Sequence, residues 1–200
     1  RAEPPSRLES VSADDMAALM YTSGTTGRPK GAIRSHGANA LIAWATAMEM
    51  GFTADDTALL VMPLCHANSL YFGTAFVHLG GTCHIEDRRS FDAEALLRTL
   101  AEERVTFTSL VPTHYIMLLA LPDDVKRRHD LSAVGKLMIS SAPARQETKR
   151  GIMTLFPNGK LYEVDARLRP TGKSGSLATS LAEFSRYYAE GAGQLWERQA

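Results

Sequence analysis

The sequence predicts an α/β fold in which a largely parallel sheet carries flanking helices. Three observations lead there. Short apolar runs of strand length alternate with longer helix-like runs about five times over residues 17–163. Such alternation builds parallel sheets, because each return to the same edge needs a crossover helix. Runs such as "TALLVMPL" and "KLMISSA" read as buried strands, as expected when helices cover both faces. Helix punctuation also falls where the alternation needs it, with Ser35 and Pro112 at starts and Gly51 and the Gly80–Gly81 pair at stops.

Taken in order, residues 1–15 ("RAEPPSRLESVSADD") are polar and aperiodic and read as a linker; they hold no apolar stretch of signal-peptide type. "AALMYTS" reads as a buried strand that ends at a glycine loop. "SHGANALIAWATAMEMG" reads as a helix with Leu41, Trp44, Ala45 and Met48 at helical spacing, and with Trp44 and Met48 in the core. "TALLVMPL" (57–64) is the next strand, "SLYFGTAFVHLGG" (69–81) the next helix, and "TCHIE" another strand. "FDAEALLRTLAEER" is amphipathic, with Leu96, Leu97 and Leu100 inward. "VTFTSLV" is a strand, and "PTHYIMLLAL" a helix opened by Pro112. The charge run "DDVKRRHD" (123–130) reads as a solvated loop or helix end. "KLMISSA", "ARQETKRGIMTLF" and "KLYEVD" supply a strand, a helix and a last strand. Further on, Ser180 and Glu183 have capping-box spacing, with Leu181, Phe184 and Tyr188 on one helical face.

Two hundred residues suit one domain, or a domain with an appendage. A 44% apolar and 22% charged composition is that of a soluble globular chain. The net charge of zero gives no general attraction to nucleic acid or anionic membrane. Apolar runs are broken before bilayer length, so no membrane span is expected. Cys65 and Cys83 lack CxxC spacing and read as reduced core thiols, consistent with a cytoplasmic location. His36, His78, His84, His114 and His129 show no metal-ligand spacing. The chain begins at Arg1 rather than methionine and reads as an excerpt of something longer.

The most informative stretch is "YTSGTTGRPKG", Tyr21 to Gly31. Glycines permit close backbone approach and positive φ. The hydroxyls of Thr22, Ser23, Thr25 and Thr26 and the charge of Lys30 suit phosphate oxygens, placed beyond the carboxyl end of a strand. The chemistry is a polyphosphate clamp; a surface turn is the alternative. The spacing is not that of the Walker loop, since Pro29 stands where its second glycine is needed. Gly172-Lys173-Ser174 does not make one either, because Arg167 occupies the earlier glycine position.

"LMYTSGTTGRPKG" closely resembles the phosphate-binding signature of the adenylate-forming superfamily, which includes acyl-CoA synthetases, firefly luciferase and nonribosomal peptide adenylation domains. The resemblance extends over about residues 10–163, through "MPLCHANSL", the "VPT" turn and "LMISSAPARQETKRGIMTLFPNGKLYE". It implies a partial N-terminal domain of that family, which activates a carboxylic acid with ATP as an acyl-adenylate and then usually transfers it to coenzyme A. Thr22, Ser23, Gly24, Thr25, Thr26, Gly27 and Lys30 would hold phosphates. Ser141, Ala142 and Pro143 would form the turn against adenine. His66 would lie at the acyl pocket, or else be a hydrogen-bonded structural histidine. ATP, Mg²⁺ and coenzyme A are the implied cofactors, and a small carboxylic acid is the partner.

After "KLYE" the pattern changes. The family's Tyr-Gly-Ser/Thr-Thr-Glu segment does not follow. Instead "YEVDARLRPTGKSG" and "LWERQA", over about residues 161–200, resemble the adenylyltransferase that modifies glutamine synthetase. That resemblance implies a metal-binding carboxylate at Asp165, with Arg167 and Arg169 near phosphates; an ion pair is the other reading of Asp165. The tail lacks the Gly-Ser-x-Asp-x-Asp segment that supplies that family's first carboxylates, and nucleotidyl transfer needs two or three of them around magnesium. The expected organisation is therefore a linker at 1–15, a partial ATP-binding adenylate-forming domain at 16–163, and a foreign strand-loop-helix segment at 164–200. A nucleotidyltransferase acting on glutamine synthetase, or a non-catalytic fusion fragment, are the alternative functions.

Overall fold

The computed structural model describes residues 10–22 and 30–163. It contains two sheets. Strands β1 (Met16–Thr22) and β2 (Lys30–Ser35) form an antiparallel pair. Strands β3 (Thr57–Leu60), β4 (Thr82–Ile85), β5 (Phe107–Leu110), β6 (Lys136–Ile139) and β7 (Lys160–Glu163) form a fully parallel sheet in the order β4-β3-β5-β6-β7. Helices α1 (His36–Met50), α2 (Ala67–Leu79), α3 (Ala93–Glu102), α4 (Pro112–Leu119), α5 (Asp123–Lys126) and α6 (Gln146–Leu155) complete it. The parallel α/β architecture expected from the sequence is present. The helix read at Ser180–Tyr188 and the Asp165 position lie outside the described residues.

Strand order explains the layering. From β3 the chain steps to β4 on one side, then crosses back over β3 to β5 and continues outward through β6 and β7. Crossovers between parallel strands are right-handed, so a reversal of direction sends helices to opposite faces. The cores follow that division. On one face α1 and α2 bury Ala47, Met50, Phe72 and Phe76 against Ala58, Leu60, Phe107 and Met138. Phe107 meets Phe52 and Phe72 there, with ring centroids 4.7 and 4.6 Å away. On the other face α3, α4 and α6 pack Leu96, Leu97, Leu100, Leu118 and Ile152 on Leu59, Leu110, Leu137 and Ile139. Neighbouring residues of one strand therefore serve different cores, which is why these strands read as continuous apolar runs.

Local signals act where expected. The Ser35 hydroxyl accepts from Ala38 N–H and caps α1, and Asp92 caps α3 in the same manner. Gly51 and Gly80 end α1 and α2 in the left-handed conformation that glycine adopts without strain. Pro112 stands at the start of α4, where its missing N–H costs nothing. The 123–130 run forms the one-turn α5 and solvated residues after it.

Four expectations are corrected. First, "AALMYTS" is not a buried strand of the main sheet. Among the described residues it pairs with β2 alone, and Met16, Leu19 and Tyr21 are exposed. "KGAIRS" was not legible as a strand because it carries a single strong β-former, Ile33. Second, the glycine loop therefore joins two antiparallel strands rather than a strand and a helix. Third, Trp44 and Met48 are 50% and 75% exposed instead of core, and Leu41 on the same stripe is exposed too. Helix α1 buries Ile42, Ala43, Thr46, Ala47 and Met50, because the small Ala43 and Ala47 let it approach α2 and the sheet closely. Fourth, Cys65 is exposed and Cys83 half-buried, and neither lies in the closed core; both are free thiols.

The amino-terminal rim of the sheet is tied by charge. Asp56, just before β3, accepts from Lys136 Nζ of β6 at 2.8 Å and from the Thr106 hydroxyl at 2.7 Å, while Thr106 Oγ1 accepts from Thr57 N–H. Burial alone would raise the Asp56 carboxyl; hydrogen bonds from Lys136, Thr106 and the Thr53 N–H, with the lysine charge, outweigh it and hold it below the ordinary range. A carboxyl lowered on folding stabilises the fold above its unfolded value, near 3.8, and that contribution is lost as pH falls through the folded value. Asp56→Asn is expected to cost about 3 kcal/mol at pH 7. In urea titrations the gap from the parent should narrow below pH 4. A constant gap across that range would assign the loss to shape and not to charge.

Candidate functional site

In open α/β sheets the carboxyl ends of strands splay apart where strand order reverses, and ligands bind in that crevice. Here the reversal lies between β3 and β5. The residues just beyond those strands therefore border that crevice. Helix α2 begins there, after β3. His66 is its N-cap: Nδ1 accepts from Asn68 N–H at 3.2 Å, which leaves any proton of the neutral ring on Nε2. His66 is exposed, so in this structure it both caps a helix and stands at the rim.

The Asn68 side chain reaches across the crevice. Its Nδ2 donates to Ser109 Oγ on β5 at 2.8 Å and to Ser140 Oγ just after β6 at 3.0 Å. One carboxamide thus joins the start of α2 to the ends of two strands. Sequence reading did not single out Asn68, Ser109 or Ser140. Ser109 and Ser140 are polar residues inside runs read as strands, Asn68 stands between a strand run and a helix run, and the strand order brings them together.

The turn after β6 contains Ser141, Ala142 and Pro143, all exposed. Ser141 sits at φ +70°, a left-handed conformation that strains a non-glycine residue. Ala142 N–H donates back to Ser140 O at 2.9 Å, which tightens the bend. Glu163, the last residue of β7, holds the far side of this turn. One carboxylate oxygen accepts from Ala144 N–H at 2.8 Å and the other pairs with Lys149 of α6. Neither Glu163 nor Lys149 was anticipated; their partnership depends on β7 lying beside β6.

The hairpin packs against α1 and reaches α2. Thr22 and Lys30 face each other as the last backbone pair of β1 and β2. Ser23, Gly24, Thr25, Thr26 and Gly27, five of the expected phosphate contacts, fall in the segment between them and lie outside the described residues. At the other end of β2, the Arg34 guanidinium lies 4.0 Å from the Tyr71 ring centroid on α2, a cation–π contact that ties the hairpin to the helix that starts at the crevice. An open groove of about 860 Å³ between α4, α5 and α6, lined in part by Ile116, Lys126, Leu131 and Glu147, lies on the flank of the sheet and includes none of the expected site residues. Among the described residues no three His, Cys, Asp or Glu side chains gather as metal ligands.

Comparison with known proteins gives two family matches: AMP-binding enzyme over residues 1–164, and glutamate-ammonia ligase adenylyltransferase over residues 150–200. The two overlap at residues 150–164. The chain is 38% identical over 120 residues to 2-succinylbenzoate-CoA ligase of Bacillus licheniformis, which covers 60% of this chain and 25% of the relative. Its fold is that of the N-terminal domain of FACL13 from Mycobacterium tuberculosis, solved with an inhibitor (TM-score 0.72, 24% identity, 81% of this chain and 39% of the other). It is also similar to ATP-bound MatB from Rhodopseudomonas palustris (TM-score 0.61, 32% identity, 72% and 28%). The chain thus spans between a quarter and two-fifths of the length of these relatives.

Glu163→Ala should release the turn without opening the sheet. Amide exchange at Ala144 is expected to quicken about 30-fold, the loss of one well-made hydrogen bond to a charged group, with β5 and β6 amides unchanged. Unaltered exchange at Ala144 would show that the turn holds itself.

Proposed function

Since the chain belongs to the AMP-binding enzyme family, we propose that its crevice takes part in ATP-dependent activation of a carboxylic acid as an acyl-adenylate, of the acyl-CoA ligase type. The observation that carries this is the Ser23–Pro29 segment, rich in glycine and hydroxyls, hung between a paired Thr22 and Lys30 on a hairpin anchored at the start of α2. Main-chain N–H groups and the hydroxyls of Thr22, Ser23, Thr25 and Thr26 donate to the phosphates. Gly24 and Gly27 let the backbone close on them, and Lys30 adds charge where pyrophosphate leaves. Ser141, Ala142 and Pro143 offer their backbone to adenine, held from behind by Glu163. His66 lines the acid's side of the crevice.

The described residues do not fit a resident metal. Mg²⁺ would in this reading come with the nucleotide, where it would offset phosphate charge. Coenzyme A is the acceptor of the activated acyl group. No helix among the described residues is long and apolar enough to cross a membrane. A cytoplasmic location and a small-molecule acid as partner, without nucleic acid, complete the proposal, with residues 16–163 as the ATP-binding unit.

Acid-dependent exchange of labelled pyrophosphate into ATP tests it. Lys30→Ala and Thr25→Ala should each lower that exchange about 100-fold, as loss of one donor to developing charge does elsewhere, with the thermal transition unchanged. Exchange at the parent rate in both variants would remove the clamp from the chemistry.

A second reading rests on the match of residues 150–200 to glutamate-ammonia ligase adenylyltransferase. In it Asp165 binds a metal and the tail transfers a nucleotidyl group to glutamine synthetase. Mg²⁺-dependent labelling of glutamine synthetase from labelled ATP, abolished in Asp165→Asn, is the expected sign; absence of label leaves residues 164–200 as a non-catalytic appendage.

A further inference from the structure

We infer that Asn68 is a specificity-determining residue: it reads a neutral hydrogen-bonding group on the acid, so the acid is a hydroxylated one and not a plain alkyl acid. The inference rests on the acid-activation reading above and names the substrate class of that site.

Position is the first reason. The reversal of strand order between β3 and β5 marks the crevice from topology alone, and Asn68 is the side chain that spans it, from α2 to β5 and the end of β6. Orientation is the second. Both protons of its amide nitrogen are directed at Ser109 and Ser140, so the carboxamide plane is set before any ligand arrives. Oδ1 is its remaining polar atom, an acceptor to which no described residue donates. The main chain is set as well, by the His66 cap on Asn68 N–H. A preorganised acceptor of this kind selects a donor such as a hydroxyl.

The third reason is what surrounds it. Asn68, Ser109 and Ser140 are all uncharged, which suits a neutral group better than a second carboxylate. In the same first turn of α2, Ser69 is fully buried, and its hydroxyl has no partner among the described residues. Buried polar atoms without partners are rare in native proteins and concentrate where a ligand or water meets them. An alkyl chain laid over this turn would strip water from a carboxamide and return no hydrogen bond, a penalty of about tenfold or more in affinity. A hydroxyl replaces that water directly. Discrimination by a polar group that the ligand covers is also steeper than any that an apolar wall achieves between chains of similar size.

The test compares acids that differ by one hydroxyl: 6-hydroxyhexanoate with hexanoate, and 4-hydroxyphenylacetate with phenylacetate. Each is titrated into the isotopically labelled 200-residue chain in the presence of ATP, and the side-chain amide resonances of Asn68 are followed. In at least one pair the hydroxylated acid should bind about tenfold more tightly and shift those resonances. Asn68→Leu, close in size, should bring the pair to within about twofold by weakening the hydroxylated acid alone. Ser109→Ala removes one of the groups that orient the carboxamide and guards against a misfolded Asn68 variant; it should cut the preference about threefold. Equal binding within both pairs, or a preference that survives both substitutions, overturns the role of Asn68 while leaving acid activation standing. If none of the four acids binds while another, unhydroxylated acid supports pyrophosphate exchange, this inference is overturned; if no acid supports exchange, the acid-activation reading fails and this inference falls with it.

Discussion

The reversal of strand order between β3 and β5 is the constraint on which the rest of the structure depends. Right-handed crossovers leave no choice about which face each helix covers once the order is set. Helix α2, leaving β3 toward β4, falls on the face already occupied by α1; α3, α4 and α6 fall on the other. Two cores result, and β3, β5 and β6 serve both. The same reversal separates the loops that leave β3 and β5. It is also why Asn68, on the first turn of α2, lies over Ser109 and Ser140, residues 41 and 72 positions away along the chain.

The two rims of the sheet differ in how they are held. At the amino-terminal rim, Asp56, Lys136 and Thr106 form a compact charged network that joins β3 to β6. At the carboxyl rim the ties are a neutral carboxamide, two serine hydroxyls and the Glu163 carboxylate against a strained turn. A stiff lower rim and an upper rim built from fewer, partly exposed contacts is the division expected of a fold that keeps its stability in one place and its chemistry in another.

Much apolar surface lies outside both cores. Leu41, Trp44 and Met48 on α1, Val77 on α2, and Leu19, Tyr21 and Ile33 on the hairpin are each exposed. An antiparallel pair of strands is marginal by itself. This one is held by its direct continuation into α1, by Gly37 N–H bonding to Ala13 O, and by Arg34 against Tyr71. Phosphate-gripping chemistry proposed for the loop between β1 and β2 would therefore be steadied through α1 and, by the Arg34–Tyr71 contact, through α2, the helix that also carries Asn68.

What the sequence by itself determined is what depends on neighbours along the chain. The order and type of the main elements from α1 onward, the caps at Ser35, Gly51 and Gly80, and the glycine- and hydroxyl-rich segment at 23–29 are legible because a cap, a turn or a period needs only a few adjacent residues. Tertiary structure alone decided the rest. Whether α1 would bury Trp44 or Ala43 depended on how closely α2 approaches it. "KGAIRS" became a strand only because β1 offers it a partner, not through its own propensity. The Asn68–Ser109–Ser140 bridge and the Glu163 hold on Ala144 required β5 to lie beside β6 and β7 beyond it. Such pairings join residues far apart in the chain, and no local pattern records them, because their free energy appears only once distant strands share a sheet.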